Sequence, residues 1–210
     1  MTMVLAIDTT GTAPAMALVR GDEVRSAWQG HAAQTPLLDG LRAVLAGQGL
    51  SMPALRKDLT AVAAAMGPGR YARLRAGVAF AKGLATGWGA PFIGVRSVAA
   101  VAHAAGGHIG PIVIPAGRGR VYCWTGEPGE SLSPAVDPSA LVERLGPGAS
   151  VAGDVDDVTA AALRATGLRL KPIRPIEIAE AVGRLAGERD PSSVGVEVAR
   201  PIYVPAADHG

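Results

Sequence analysis

The segment from Met66 to Ala85 constrains this chain more than any other part of the sequence. It reads as the end of an apolar strand, then Gly67-Pro68-Gly69, then a long helix built largely of small residues. Glycine adopts backbone angles that other residues avoid and proline fixes its own φ, so the turn aims the helix start in a defined direction. Free N–H groups at a helix start can bind an anion, whereas small residues let a second helix approach closely. Two uses therefore stay open: an anion cradle around Gly67 and Gly69, or a surface that docks another protein.

The order of the elements predicts an α/β protein with two lobes, each a mixed sheet with helices. Strands are expected at 4–7, 13–19, 24–28, 59–66 and 91–95, with helices at 36–48, 71–86 and 97–105, the last capped by Ser97. The pattern restarts after Gly106-Gly107, with strands at 109–114, 120–125 and 150–152 and helices at 138–145, 158–166 and 176–187. We therefore divide the chain at 1–105 and 106–210, with a loop at 129–138 and an extended tail at 201–205.

Composition places the chain among globular proteins of a reducing compartment. Apolar residues make up 49% of the chain and charged residues 18%, which is enough apolar material for a substantial core. Cys123 is the only cysteine and lies in an apolar run, so an internal disulfide is excluded. The start of the sequence does not read as a signal peptide, and no run of about 18 apolar residues occurs. We expect a cytoplasmic protein without a membrane span.

Five arginines form two clusters, although the formal net charge is only +2. The first cluster is Arg70, Arg73 and Arg75, and the second is Arg118 and Arg120. Solvated surface residues are the ordinary interpretation, and a patch that meets nucleic acid or an acidic partner is the alternative.

Asp8, Thr9 and Thr10 follow the first apolar run and are candidates for contacts to a phosphate or nucleotide. A hydrogen-bonded turn that closes a hairpin explains the same residues. Gly67 and Gly69 complete this candidate anion site. The four histidines, His31, His103, His108 and His209, lack the spacing that places two ligands on one helix face, so no metal site is predicted. The sequence also contains no recognisable nucleophile motif.

Two blocks together resemble a known family. They are the start Leu5-Ala6-Ile7-Asp8-Thr9 and the block from Gly67 to Ala85, with further matches at 91–97, at Val121-Tyr122 and at 201–203. The chain is similar in these blocks to the TsaB (YeaZ) family, bacterial proteins of tRNA threonylcarbamoyladenosine biosynthesis. The likeness covers the first half well and the second half in outline.

The resemblance implies an actin-like, ribonuclease-H-like ATPase fold and a role without independent chemistry. In the family, this subunit pairs with TsaD, which binds the metal and catalyses the transfer reaction. The ATPase TsaE joins the pair, and tRNA is bound only through the complex. The implied docking helices are 36–48 and 71–86, which would pack on TsaD or on a second copy. A nucleotide at an interface shared with the partner is left open. The expected docking residues are Leu37, Leu41, Leu45, Leu74, Gly77, Val78, Ala81 and Ala85.

The chain departs from the family pattern at two loops. After Gly67-Pro68-Gly69, Arg70, Ala72 and Arg73 stand where the family usually has Ser, Thr and Gly. In the later block, Pro115 and Arg120 stand where it has Asp and Glu. These changes bear on any small-molecule role of the loops.

Two other functions are compatible with the residues. An ATP-dependent small-molecule kinase of the actin-like superfamily would need Asp8 and a phosphate cradle to act together with magnesium. A protein that binds tRNA directly would depend on the arginine clusters, and its affinity would fall steeply with salt.

Overall fold

A computed structural model of the chain describes residues 2–31, 35–107, 110–126, 133–189 and 200–204. The first sheet has five strands in the order β3-β2-β1-β4-β5. Strands β1, β2 and β3 form an antiparallel meander, and β4 and β5 extend it in parallel with β1. The strands are β1 (Met3–Asp8), β2 (Ala15–Arg20), β3 (Glu23–Gln29), β4 (Ala61–Ala65) and β5 (Phe92–Val95).

Helices cover both faces of this sheet, so every residue of β1 is buried. Alternate residues of a strand point to opposite faces. Leu5 and Ile7 therefore pack with α1 (Leu37–Ala46), α2 (Met52–Asp58) and α3 (Tyr71–Trp88). Val4 and Ala6 pack on the other face, with α4 (Ser97–Ala104) and α7 (Pro175–Gly187).

The second sheet has four strands in the order β7-β6-β8-β9. Its strands are β6 (Ile112–Gly117), β7 (Arg120–Trp124), β8 (Ser150–Gly153) and β9 (Arg169–Pro172). Its helices are a 3-10 turn (Pro138–Ala140), α5 (Leu141–Leu145) and α6 (Asp157–Ala165). Ile112, Ile114 and Ala152 of this sheet share one apolar core with α4 and α7. The two sheets are therefore joined through a common core.

The predicted division at residues 105 and 106 separates the two sheets but not the packing. Helix α7 comes from the second half of the chain, yet it lies against β1 and β2 of the first sheet. Gly183 of α7 approaches Val19 so closely that a Cβ there would lie 2.5 Å from a Val19 methyl carbon. Ile202 also returns, and its N–H donates to the Met66 carbonyl at 2.6 Å. The first lobe thus includes segments from beyond residue 106.

Helix α3 turns the expected docking residues inward. Leu74, Gly77, Val78, Ala81 and Ala85 face the first sheet and are buried. Leu41 and Leu45 of α1 are buried in the same core, and Leu37 is half-buried beside it. This part of the prediction is corrected: these residues hold the helices on their own sheet, and of the eight only Leu37 keeps a partly exposed side chain.

Three smaller predictions have different outcomes. Ser97 is not the cap of α4, since Arg96 precedes the helix and the Ser97 hydroxyl instead accepts from the Gly67 N–H at 3.1 Å. His108, His209, residues 129–132 of the predicted loop 129–138 and Pro205 lie outside the described residues. Across the described ranges, no helix has both the length and the apolar character of a membrane span.

Two glycines of α3 offer a matched test of which helix face is inward. A Cβ at Gly77 would lie 2.1 Å from Thr9 Oγ1, whereas a Cβ at Gly83 would meet nothing within 4 Å. We expect Gly83→Ala to raise the free energy of unfolding by about 0.5–1 kcal/mol, because alanine loses less backbone entropy in a helix. Gly77→Ala should lower it by about 1–3 kcal/mol through overpacking. Urea unfolding of both variants measures this, and shifts of the same sign would contradict the orientation of α3.

Candidate functional site

The turn before α3 is tied to its neighbours by backbone hydrogen bonds. The Gly67–Pro68 peptide is cis and Gly67 has a φ of 103°, which favours glycine. The Gly67 N–H donates to Ser97 Oγ, and the Ser97 N–H donates back to the Gly67 carbonyl at 2.9 Å. The Gly67 amide is therefore already used within the chain, so it is not available for the predicted anion.

The end of β1 packs directly on this turn. Asp8 Oδ1 accepts from both the Thr10 N–H and the Thr10 hydroxyl, at 3.0 and 2.7 Å. The Thr9 hydroxyl donates to the Arg73 carbonyl at 2.8 Å. A Cβ at Gly69 would lie 2.7 Å from the Thr10 Cβ, so the turn and the strand end are in close contact. The structure thus brings Asp8, Thr9, Thr10 and Gly69 together, and their proposed contact with an anion or nucleotide stays a prediction.

Carboxylates from the second sheet close this site. Asp154 follows β8, and its two carboxylate oxygens accept from the Thr12 N–H and the Thr12 hydroxyl, each at 2.6 Å. Asp154 also fills the space beside Gly11, where a Cβ would lie 1.9 Å from Asp154 Oδ2. We call the Thr12–Asp154 contact the latch, because it joins a loop of the first sheet to the end of a strand in the second.

Two arginines that depart from the family pattern reinforce the latch. Arg70 pairs with Asp156 at 2.9 Å, and Asp156 caps α6 by accepting from the Thr159 N–H. Arg73 Nη1 donates to the Thr12 carbonyl at 3.1 Å. Arg70 and Arg73 thus serve contacts between the sheets and within the site, and they are not simple solvated surface residues.

The buried carboxyls have altered acidity. Burial raises the pKa of Asp8. Its hydrogen bonds with Thr10 and the nearby positive charge of Arg73 lower the pKa and offset part of this rise. Burial raises the pKa of Asp154 to about 6, although the Thr12 hydrogen bonds act against it; the negative charge of Asp8 adds to the rise and Arg73 reduces it. Burial and the charge of Arg70 lower the pKa of Arg73, but a guanidinium keeps its proton at neutral pH.

Three buried polar atoms at this site have no hydrogen-bond partner in the described part of the chain. They are Asp8 Oδ2, Arg70 Nε and Arg73 Nη2. Arg73 is close enough to Asp8 and Asp154 for their charges to affect its pKa. Charge–charge attraction within this group therefore compensates part of the cost of burying it.

Histidines and other metal-ligand types do not gather anywhere in the described ranges. No group of three or more His, Cys, Asp or Glu side chains there could hold a metal ion. His31 is exposed and His103 is half-buried on α4. Cys123 is a buried thiol in β7.

The solvent side of α3 carries a second feature, which we call the outer face. Ala72, Ala76, Ala79 and Gly83 are exposed and recur at the three- and four-residue spacing of one helix side. Thr86 and Gly87 continue the line. A cavity of about 240 Å³ lies between the start of α1 and this helix, lined by Thr9, Pro14, Thr35, Pro36, Leu37, Arg73 and Ala76.

The sequence is similar to one protein-family model. Residues 39–141, slightly less than half of the chain, match the family described as TsaD, tRNA N6-adenosine threonylcarbamoyltransferase. A search of curated proteins found no match.

Solved structures show the fold. YeaZ from Pseudomonas aeruginosa matches with a TM-score of 0.69 at 22% identity, over 97% of this chain and all of that chain. A second structure, of an uncharacterised protein with similarity to peptidase YEAZ from the same organism, matches with a TM-score of 0.68 at 21% identity, over 98% of this chain and all of that chain. The activator of 2-hydroxyisocaproyl-CoA dehydratase from Clostridium difficile, with bound ADPNP, matches with a TM-score of 0.53 at 11% identity, over 89% of this chain and 95% of that chain. The predicted actin-like α/β fold is confirmed.

The latch predicts a specific dependence of stability on pH. Because the pKa of Asp154 is about 6 in the folded chain and 3.8 in the reference state, the folded state binds the extra proton between these values. The free energy of unfolding should therefore fall by up to about 3 kcal/mol as pH rises from 4 to 7. Asp154→Asn should reduce this dependence by the part that Asp154 contributes, leaving the part due to Asp8, whose pKa is also raised. Urea unfolding across this pH range measures the effect, and an unchanged slope in the variant would contradict it.

Proposed function

We propose, from the TsaB/YeaZ assignment that the family-model match and the YeaZ structures support, that this chain is a non-catalytic subunit of the tRNA threonylcarbamoyladenosine machinery. It would bind and stabilise a TsaD-like catalytic subunit. We further propose that it supports recruitment of a TsaE-like ATPase, that tRNA is modified by the complex, and that the complex works in the cytoplasm.

The outer face of α3 is the observation that carries this proposal. A contact within the chain explains why residue 77 is glycine, because Thr9 leaves no space for a side chain there. Gly83 and Gly87 lie in the same helix, yet a Cβ at either would meet nothing within 4 Å. A glycine inside a helix costs about 0.5–1 kcal/mol relative to alanine. Close approach of a partner helix would explain why glycine stands at these two positions. Small residues allow the distance between two helix axes to reach the short end of the usual range of about 8–10 Å.

Helix α1 borders the same surface. Leu38 is 41% exposed, and the cavity between the two helices is lined by Leu37 and Ala76. A partner helix that lies on the outer face would reach this apolar cavity. The proposal keeps the two docking helices that the sequence predicts, and its contact residues are Leu38, Ala72, Ala76, Ala79 and Gly83.

The closed site supports a role without chemistry of its own. The region around the end of β1 and the turn before α3 is occupied by contacts within the chain, which Asp154, Arg70 and Arg73 make. A kinase would need the same positions for phosphate and magnesium. The outer face could also pair with a second copy of the chain in the absence of TsaD, because a two-fold dimer uses one surface twice.

Charged substitutions on the outer face test partner binding. Ala79→Arg and Gly83→Arg should weaken binding to a purified TsaD-like subunit by at least tenfold, because a long cation keeps the helices apart. Calorimetric titration measures the affinity. Ala161→Arg, on the exposed side of α6, is the matched control and should bind as the unmodified chain does.

The folded state must survive these changes for the test to be informative. Circular dichroism of both variants should match that of the Ala161→Arg control, and neither urea midpoint should fall below that of the control; the midpoint of Gly83→Arg should be the higher, because a helical glycine is replaced. Unimpaired binding by well-folded Gly83→Arg would exclude the outer face as the docking surface, and unimpaired modification of tRNA in cells that carry it would exclude the proposed role.

The isolated chain should not use ATP. We expect ATP with magnesium to cause no rise in Tm that depends on Asp8, because only a ligand bound at that carboxylate would lose its mass-action stabilisation in Asp8→Ala. Differential scanning calorimetry with and without nucleotide checks this. A raised Tm that disappears in Asp8→Ala would instead favour the kinase.

A further inference from the structure

All three tyrosines of the chain converge on one pocket. Tyr71 begins α3, Tyr122 lies in β7, and Tyr203 lies in the segment 200–204 that follows α7. They surround a cavity of about 200 Å³ whose remaining lining is Gly69, Ile202 and Val204. We call this cavity the tyrosine pocket. It is formed by the turn before α3, the start of α3, β7 of the second sheet and the segment 200–204, and the latch does not use it.

Two of the rings are presented to solvent. The side chain of Tyr71 is 60% exposed and that of Tyr203 is 48% exposed. Their ring centroids lie 5.2 Å apart with the planes inclined at 39°. The hydrogen bond from Ile202 to Met66 holds the segment that carries Tyr203 against the turn. The core therefore does not need these rings, which are held in place with large aromatic areas uncovered.

The pocket is flanked by positive charge. The Arg75 guanidinium carbon lies 5.3 Å from the Tyr71 ring centroid, and Arg75 Nη1 donates to the Tyr71 hydroxyl at 3.0 Å. Arg120 lies near Tyr122, where its charge partly opposes the rise in the Tyr122 pKa that burial causes. Within the described ranges, no ion pair engages either arginine. Arg120 also donates to the Ala135 carbonyl. In the part of the chain that the structure describes, an anionic group on a ligand would therefore meet two cations that no carboxylate neutralises.

We propose that the tyrosine pocket binds one unstacked nucleobase whose attached phosphate contacts Arg75. Aromatic side chains stack on bases irrespective of sequence, and arginine adds attraction to both the base and the phosphate. The cavity is smaller than the roughly 300 Å³ at which pockets for drug-sized ligands begin, which fits a single flat ring system. The base comes either from single-stranded RNA or from a free mononucleotide, and the two sources share this recognition chemistry.

This site is separate from the proposed docking surface. Tyr71 and Arg75 lie on α3 beside the outer face, but Tyr122, Tyr203 and the cavity floor belong to other segments. The proposal gives the chain its own contact with RNA, beyond any that a catalytic partner makes. It holds whether or not the outer face docks a partner.

Binding of labelled hexa-adenylate RNA to the full chain, followed by fluorescence anisotropy, tests the pocket. We expect Tyr203→Ala and Tyr71→Ala to weaken binding by about 5- to 150-fold, the range found when a stacking aromatic is removed. Tyr203→Phe keeps the ring and should bind as the unmodified chain does. Arg75→Ala should weaken binding and reduce its salt dependence, whereas Arg56→Ala, an exposed arginine on α2, is the matched control.

Two further arms identify the source of the base and guard against misfolded variants. Adenosine monophosphate, titrated by calorimetry, should bind more weakly than the RNA if RNA is the ligand, and equally well if a free mononucleotide is. Ultraviolet cross-linking of the RNA to the unmodified chain, read by mass spectrometry, should label peptides that contain Tyr71, Tyr122 or Tyr203.

The outcomes that overturn the proposal are specific. They are no binding of RNA or mononucleotide at low salt, binding that all tyrosine variants retain, or cross-links only to other segments. Gly83→Arg separates this site from the docking surface: it should lose the TsaD-like partner and keep RNA binding, so failure of either proposal leaves the other testable.

Discussion

The close approach of α3 to the end of β1 is the contact on which the rest of the molecule depends. Thr9 lies where a side chain at Gly77 would have to be, so only glycine lets the helix sit at this depth. That depth brings Gly69 against Thr10, places Arg70 in reach of Asp156 beyond the second sheet's β8, and places Arg73 against the Thr12 carbonyl. The latch, the closed site and the exposed outer face all follow from the position of this one helix. Small residues in α3 therefore serve two different purposes on its two sides.

The sequence predicted most of the first sheet, because its strands are continuous apolar runs with clear turns between them. It missed α2, whose seven residues carry only one buried side chain, Leu55, although Ser51 caps it and Pro53 stands in its first turn. It also missed β9, an edge strand of mostly exposed residues that pairs only with β8. Short, exposed helices and strands of this kind are stabilised by the elements beside them. Their own hydrophobic pattern is therefore too weak to predict them from the sequence.

The candidate site was only half visible in the sequence. Asp8, Thr9 and Thr10 could be found because they end an apolar strand, but Asp154 lies 142 residues from Thr12, the residue it contacts. A Gly-Asp pair after the short strand β8 is the one local sign that was available. The inward face of α3 was misjudged for a related reason: alanine and glycine occur on both sides, so a hydrophobic period does not distinguish them. Contact with a specific neighbour determines which side of α3 is buried: a Cβ at Gly77 would meet Thr9, whereas a Cβ at Gly83 would meet nothing within 4 Å.

The return of α7 has a consequence for how the molecule is made. The face of the first sheet that carries Val4 and Ala6 receives its cover from residues 175–187, which are translated after the strands of both sheets. A nascent chain that has completed all five strands would still expose a broad apolar surface, of the kind that makes partly synthesised domains prone to aggregate. Neither sheet is expected to fold without the other half of the described chain, so the two sheets acquire their structure as a single cooperative unit once α7 leaves the ribosome.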